Sequence, residues 1–302
     1  MLFKNKLMVN TLNVDIDISE IPTIKSARLV SINGRGILST HTTVMNDSYY
    51  GNRFLTQIKL NAIPLVQINA PGCPTCSSIL ATGYGIENAN CKELSDIRDI
   101  INESFISLDA SVEALKPLLT LLKSGLYIIA DTVCFPTDGN DAFFWNVPNE
   151  PTNNLATAGI ILPEVDYTYV SGQPVYLYPT QSTDCYKEER VQHYIEVFKS
   201  SENQPRAVVY QFGEFINFII DGHHKACAAS ILGRPLNCIV IIPFKGYEYH
   251  KSGNKMMPDT LQFSSIKVHK KDISDKYLPS IPKPFKYMHT PDITSGTINR
   301  RI

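Results

Sequence analysis

The sequence predicts an α+β protein, with a mixed α/β region over residues 1–150 followed by a compact α+β domain over 164–245. Three observations carry this. β-Rich runs dominate the first seventy positions, helical periodicity takes over near residue 91, and a strand–helix–hairpin–helix–strand succession follows residue 173. A polar stretch at 151–163, containing Pro151, reads as the linker, and 246–302 reads as a proline-rich, mildly basic extension.

Taken in order, "ARLVSING" and "IPLVQINA" have strand composition, and "NGRG" reads as a hairpin turn leading into "ILSTHTTV". "CKELSDIRDIINESF" and "SVEALKPLLTLLKSG" have helical periodicity. In the second, Leu115, Leu118, Leu119 and Leu122 share a face, Pro117 starts or kinks the helix, and Gly125 stops it. "LYIIADTVCF" and "DAFFWNV" flank "PTDGN" and read as a strand pair around a turn. Past the linker come the strand "QPVYLYP", the helix "CYKEERVQHYIEVFKS" and the hairpin "RAVVYQF"/"FINFIID" turning at Gly213–Glu214. The helix "HHKACAASILG" and the buried strand "LNCIVIIPF" complete this domain. The prolines of "YLPSIPKPFKYMHTP" stand too close together for helix or central strand, so the extension is expected to be solvated or wrapped.

With 302 residues, 43% apolar and 19% charged, the chain has the composition of a globular protein. A net charge of −1 provides no global field favouring nucleic acid or an anionic membrane. The first residues make a poor signal peptide, since Asn10, Asn13 and Asp15 break the apolar run, and no run approaches the roughly 20 residues of a spanning helix. Seven cysteines without a dense framework suggest reduced thiols and a cytoplasmic location.

The chemistry concentrates at "IIDGHHKACAA", where an apolar strand meets an alanine-rich helix. A helix start offers backbone N–H groups without intrahelical partners and the positive end of the dipole, which together suit an anion. Asp221 is placed to cap the helix, Gly222 permits unusual backbone angles and close approach of a ligand, and His223, His224 and Lys225 add donors. The pattern suggests a phosphate cradle. Its simpler counterpart is a capped helix with polar surface residues.

The run from Pro174 to Pro243, above all "IIDGHHKACAASILG" followed by "LNCIVII", resembles the ParB/sulfiredoxin superfamily domain, with "EERVQHYIEVF" and "PRAVVYQFGE" where that family has its preceding helix and hairpin. The resemblance covers about a quarter of the chain. Sulfiredoxins carry a cysteine after the corner glycine, where this chain has His223. ParB clamps carry two arginines and a downstream helix-turn-helix, which this sequence lacks. The Asp-Gly-His-His-Arg corner of ParB-like free-serine kinases is most similar, with Lys225 in place of the arginine. That replacement keeps the charge and loses the planar two-pronged grip.

The resemblance implies a bound nucleotide (ATP or ADP) with Mg²⁺ and phosphate transfer to a small hydroxyl compound such as an amino acid. Its phosphates would meet Gly222, His223, His224 and Lys225. Asp221 would orient the acceptor or hold the metal, and Glu188 or Glu189 would act as base, the pair Glu189-Arg190 fitting the family pattern better. No protein metal cage is expected.

A second constellation is "APGCPTCSSIL". Cys73 and Cys76 at the start of a helix would resemble a thioredoxin-type redox pair, and Cys73, Cys76, Cys91 and Cys134 would be the donors of a zinc site. Three functions therefore stand side by side: a nucleotide-dependent small-molecule kinase, a non-catalytic nucleotide-responsive module, and a thiol-disulfide protein using Cys73/Cys76.

Overall fold

The computed structural model describes residues 6–47, 51–61, 63–70, 79–80, 92, 105–136, 159–160, 176–181, 185–200, 202–212, 216–252 and 255–280. The first half contains β1 (Met8–Leu12), β2 (Ile24–Asn33), β3 (Leu38–Asp47), β4 (Gly51–Leu60), β5 (Ile63–Ala70) and β6 (Ile79–Leu80). The short helices α1 (Leu108–Ala114) and α2 (Lys116–Leu119) follow, then β7 (Gly125–Cys134). The second half runs β8 (Gly159–Ile160), β9 (Tyr176–Tyr178), α3 (Glu188–Ser200), β10 (Ala207–Phe212), β11 (Ile216–Asp221), α4 (His223–Ile231) and β12 (Leu236–Pro243). It ends in a meander of β13 (Gly246–Ser252), β14 (Lys255–Phe263) and β15 (Ile266–His269). The chain is α+β, with sheet predominating.

A seven-stranded sheet in the order β1-β2-β7-β12-β10-β11-β9 organises the molecule. Its pairings are antiparallel except for β10 with β12 and β9 with β11. Because side chains alternate across a strand, neighbouring residues feed opposite cores. Val30, Ile129, Val208, Phe218 and Ile241 meet the leucines of α1 and α2 together with Leu38, Ile58, Leu60 and Leu65 of the sheet β3-β4-β5. On the opposite face Leu29, Ile128, Val209, Ile219 and Val240 meet α3, α4 and the C-terminal meander. β7 and β12 are buried on both faces, which is why they read as unbroken apolar runs.

Several sequence expectations change here. "NGRG" does not join a hairpin, because β2 pairs with β1 and β7 while β3 pairs with β4 in another sheet. It crosses between sheets instead, pinned to the end of the α2 segment by Arg35 N–H to Thr120 O at 2.8 Å and Gly36 N–H to Leu122 O at 3.0 Å. Both edges of β7 are occupied, by β2 and β12, so "LYIIADTVCF" is not half of a hairpin with "DAFFWNV", a segment outside the described residues. The helical leucines do share a buried face, and Pro117 stands in the first turn of α2. The helix ends by Thr120, however, and Gly125 opens β7.

The boundary at 151–163 does not divide the sheet. Strands β9–β12 form one contiguous half of it, and β7 continues it from the N-terminal region through eight paired positions with β12. The extension also contributes to the core up to residue 273, since Tyr247, Leu261, Phe263, Ile266, Val268 and Ile273 pack against the sheet. The proline-rich residues beyond 280 lie outside the described part.

One polar contact ties the two halves inside this apolar frame. Arg206, entering β10, grips Asp131 of β7 with two hydrogen bonds of 2.7 and 3.0 Å. The side chains are 10% and 5% exposed, and the guanidinium carbon stands 3.3 Å from the Phe105 ring centroid. Removing one partner of a buried pair leaves the other charge uncompensated, typically at a cost of about 3–5 kcal/mol. Asp131→Asn is therefore expected to lower the urea-unfolding free energy on that scale. Asp109→Asn, in the exposed pair with Arg28, should leave the midpoint nearly unchanged.

Candidate functional site

The corner between β11 and α4 forms where the sequence places it. Asp221 is the last residue of β11 and His223 the first of α4. The N-cap position, however, is Gly222, and α4 has no side-chain cap, so Asp221 does not perform the capping expected of it. Gly222 has φ 108° and ψ 23°, and a Cβ there would lie 2.7 Å from the Cβ of Ala207. Glycine is thus required both by its backbone conformation and by the closeness of β10. A bulge between Val208 and Val209 shifts the hairpin register opposite Asp221 and helps aim the turn.

Lys225 points inward. Its side chain is 1% exposed, with Nζ donating to Arg206 O at 3.0 Å and standing 3.6 Å from Asp221 Oδ2. Nζ also lies 5.7 Å from the Tyr194 ring centroid on α3. Burial pushes the ammonium below the ordinary lysine range, and the Asp221 carboxylate offsets part of that effect. The Asp221 side chain is 18% exposed and so reaches the mouth of the corner from above its buried partner. The sequence reading made Lys225 a phosphate contact. The geometry makes it the base on which Asp221 rests.

The histidines act as acceptors. His223 is buried, and its Nε2 receives the Thr180 N–H at 3.0 Å. The Thr180 hydroxyl donates to Ile219 O, locking this residue against the end of the hairpin. His224 Nε2 receives the Lys187 N–H at 3.1 Å, just before α3 begins. Tyr186 lies between them, its ring centroid 6.4 Å from that of His223 and 5.5 Å from that of His224. Each Nε2 thus serves as the acceptor for a backbone N–H. They fasten the segment before α3 to the start of α4, which brings the two helix N-termini together.

Glu188 and Glu189 occupy the first turn of α3, both exposed, and neither forms an ion pair with a described residue. They stand beside the corner, and the position of the turn does not choose between them. Tyr194 and Arg190 belong to the same cluster: burial raises the Tyr194 phenol, and the adjacent Arg190 guanidinium lowers it in part. Tyr194 was not singled out from the sequence and Arg190 entered only as the neighbour in the pair Glu189-Arg190, although their spacing of four on "EERVQHYIEVF" puts them on one helix face. Thr180 and Arg206 had no local signal, because both contact the corner across long stretches of chain.

Cys73, Cys76 and Cys91 lie outside the described residues. Cys134 is buried at the end of β7 beside Cys238, and burial pushes its thiol well up. Among the described residues no group of three or more His, Cys, Asp or Glu side chains is arranged to hold a metal, and no helix is long and apolar enough to cross a membrane. No family model, curated protein or solved structure matches the chain.

Two outcomes follow from this geometry. Gly222→Ala places a Cβ in a left-handed conformation against Ala207 and should cost roughly 1–3 kcal/mol in chemical denaturation. For Lys225 the folded-state value lies below that of the unfolded chain, about 10.4. Between the two values the unfolded state binds the extra proton, so folding stability rises with pH through that window. The unfolding free energy of the wild type relative to Lys225→Met is expected to increase as pH climbs towards about 10.4. Denaturation at stepped alkaline pH measures it.

Proposed function

We propose that the corner binds the phosphates of a nucleotide, ATP or ADP, and that the protein transfers phosphate to a small hydroxyl compound such as an amino acid. The observation supporting this reading is the placement of a partly exposed carboxylate, Asp221, directly beside a left-handed glycine at a helix start, with a buried lysine beneath it. The left-handed Gly222 opens the first turn of α4, whose dipole favours the negative charge of a phosphate. Asp221 meets the acceptor hydroxyl or the metal, and Lys225, 3.6 Å from its Oδ2, keeps it aimed. Glu188 or Glu189 supplies the second carboxylate near the reacting groups. The likeness of "DGHHK" to the corner of ParB-like free-serine kinases points the same way.

Mg²⁺ fits this donor set as a nucleotide-borne ion, since it keeps several waters and needs only one or two carboxylates with phosphate oxygens. Asp221 would hold it. When bound, the ion neutralises charge on the transferring phosphoryl group. The chain itself excludes bulk water beneath the carboxylate, orients Asp221 and fixes the relative position of the α3 and α4 starts.

One observation favours a second reading. Lys225 and both histidine Nε2 atoms already have protein partners, which also suits a nucleotide-responsive module that binds without turnover. Calorimetric titration with nucleotide, run beside a turnover assay with and without free serine and related hydroxyl compounds, separates the two. Under the kinase reading, Asp221→Asn should lower turnover by at least tenfold while changing nucleotide affinity by less than about threefold, because it removes charge and keeps shape. Lys225→Met should follow Asp221→Asn and spare binding. Nucleotide binding without acceptor-dependent turnover would leave the module, and absence of binding would remove both.

A further inference from the structure

We infer that Arg190, on the first turn of α3, is the side chain that grips the nucleotide's phosphate, a role its position allows and that of Lys225 does not. This deepens the nucleotide reading and rests on it. The corner needs a cation facing solvent. Lys225 faces inward, with Nζ on Arg206 O at 3.0 Å and 3.6 Å from Asp221, and would have to leave both to reach a ligand. His223 and His224 present Nε2 as acceptors to backbone N–H groups.

Arg190 is exposed and lies one helical turn before Tyr194, on the side of α3 that packs towards α4. The Tyr194 ring in turn lies 5.7 Å from Lys225 Nζ, so the row from Arg190 through Tyr194 leads to the Asp221–Lys225 pair. The guanidinium is near enough to Tyr194 and Lys225 to lower the phenol and the ammonium in part. The start of α3, three residues before Arg190, is held beside that of α4 by the Lys187–His224 bond. Among the described residues Arg190 forms no ion pair; its side chain hydrogen-bonds the Tyr194 hydroxyl, and a guanidinium with five N–H donors has others left for a ligand. A planar guanidinium offers two parallel donors to phosphate oxygens, which suits the terminal group of a nucleoside polyphosphate.

The test titrates ADP, ATP, pyrophosphate and adenosine into wild-type protein, Arg190→Gln and Arg190→Lys by calorimetry. Arg190→Gln is expected to weaken ADP, ATP and pyrophosphate by roughly 10–100-fold, the scale of one charge-assisted contact, and to leave adenosine unchanged. Arg190→Lys should restore part of the loss, since it returns the charge without the fork. If wild type binds nucleotide and Arg190→Gln binds it equally well, the assignment of Arg190 is overturned and the nucleotide reading stands. If wild type binds none of the phosphate-bearing probes, the nucleotide reading fails and the assignment with it. A parallel loss of adenosine binding in Arg190→Gln would point to a disturbed fold and would also overturn the assignment.

Discussion

Arg206 holds two parts of the chain at once: its guanidinium is clamped by Asp131 of β7 and laid on Phe105, while its carbonyl receives the Lys225 ammonium. A charge this deep is tolerated only when it is paired and its remaining donors are satisfied. The third donor direction is also used, by Nη1 to Gln204 O at 3.2 Å. Fixing Arg206 fixes the entry to β10, and β10 is the strand whose Ala207 sits against Gly222. The position of the candidate site therefore depends on Asp131, a residue far from the corner in sequence.

That dependence explains the altered roles at the corner. The sequence shows a lysine and two histidines beside a glycine, and three polar side chains at a helix start naturally read as ligand contacts. In the folded chain the space beneath the turn is already enclosed by β10, α3 and β12, so the long lysine goes down into it and the imidazoles turn towards the residues before α3. Burial of the ammonium is offset by Asp221 and a carbonyl, and the imidazoles replace water as acceptors for the Thr180 and Lys187 amides. What stays at the surface is Asp221 with the first turns of two helices. This is a smaller set than the motif suggests.

Local patterns were legible where local physics decided them. The hairpin of β10 and β11, the buried run of β12 and the start of α4 at His223 follow from alternation, apolar continuity and a glycine at a strand-to-helix junction. The shared leucine face of α1 and α2 follows from helical spacing. Partnerships between strands were not legible in the same way. "NGRG" has turn chemistry, yet a turn composition says nothing about which sheet each flanking strand joins, and here β2 and β3 part company. The C-terminal meander was hidden by composition: charged residues such as Lys251 and Asp259 are exposed, while positions such as Leu261 and Phe263 go inward. Lys225 was expected as a donor to phosphate, and its burial was not legible because its partner Arg206 O lies 19 residues away along the chain.

The double saturation of β7 bears on how this chain comes together in time. The strand is apolar on both faces, and one of its edges waits for β12, which emerges from the ribosome only after the whole of the intervening segment. Until then a growing chain carries a long unpaired apolar edge, the feature that invites strand addition from another molecule. Pairing it requires closing a long loop, which is slow compared with forming the local hairpin of β10 and β11. Nascent protein is accordingly most exposed to misassembly between the synthesis of Cys134 and that of Pro243, and the last strand to enter the sheet's centre is also the one that ends that exposure.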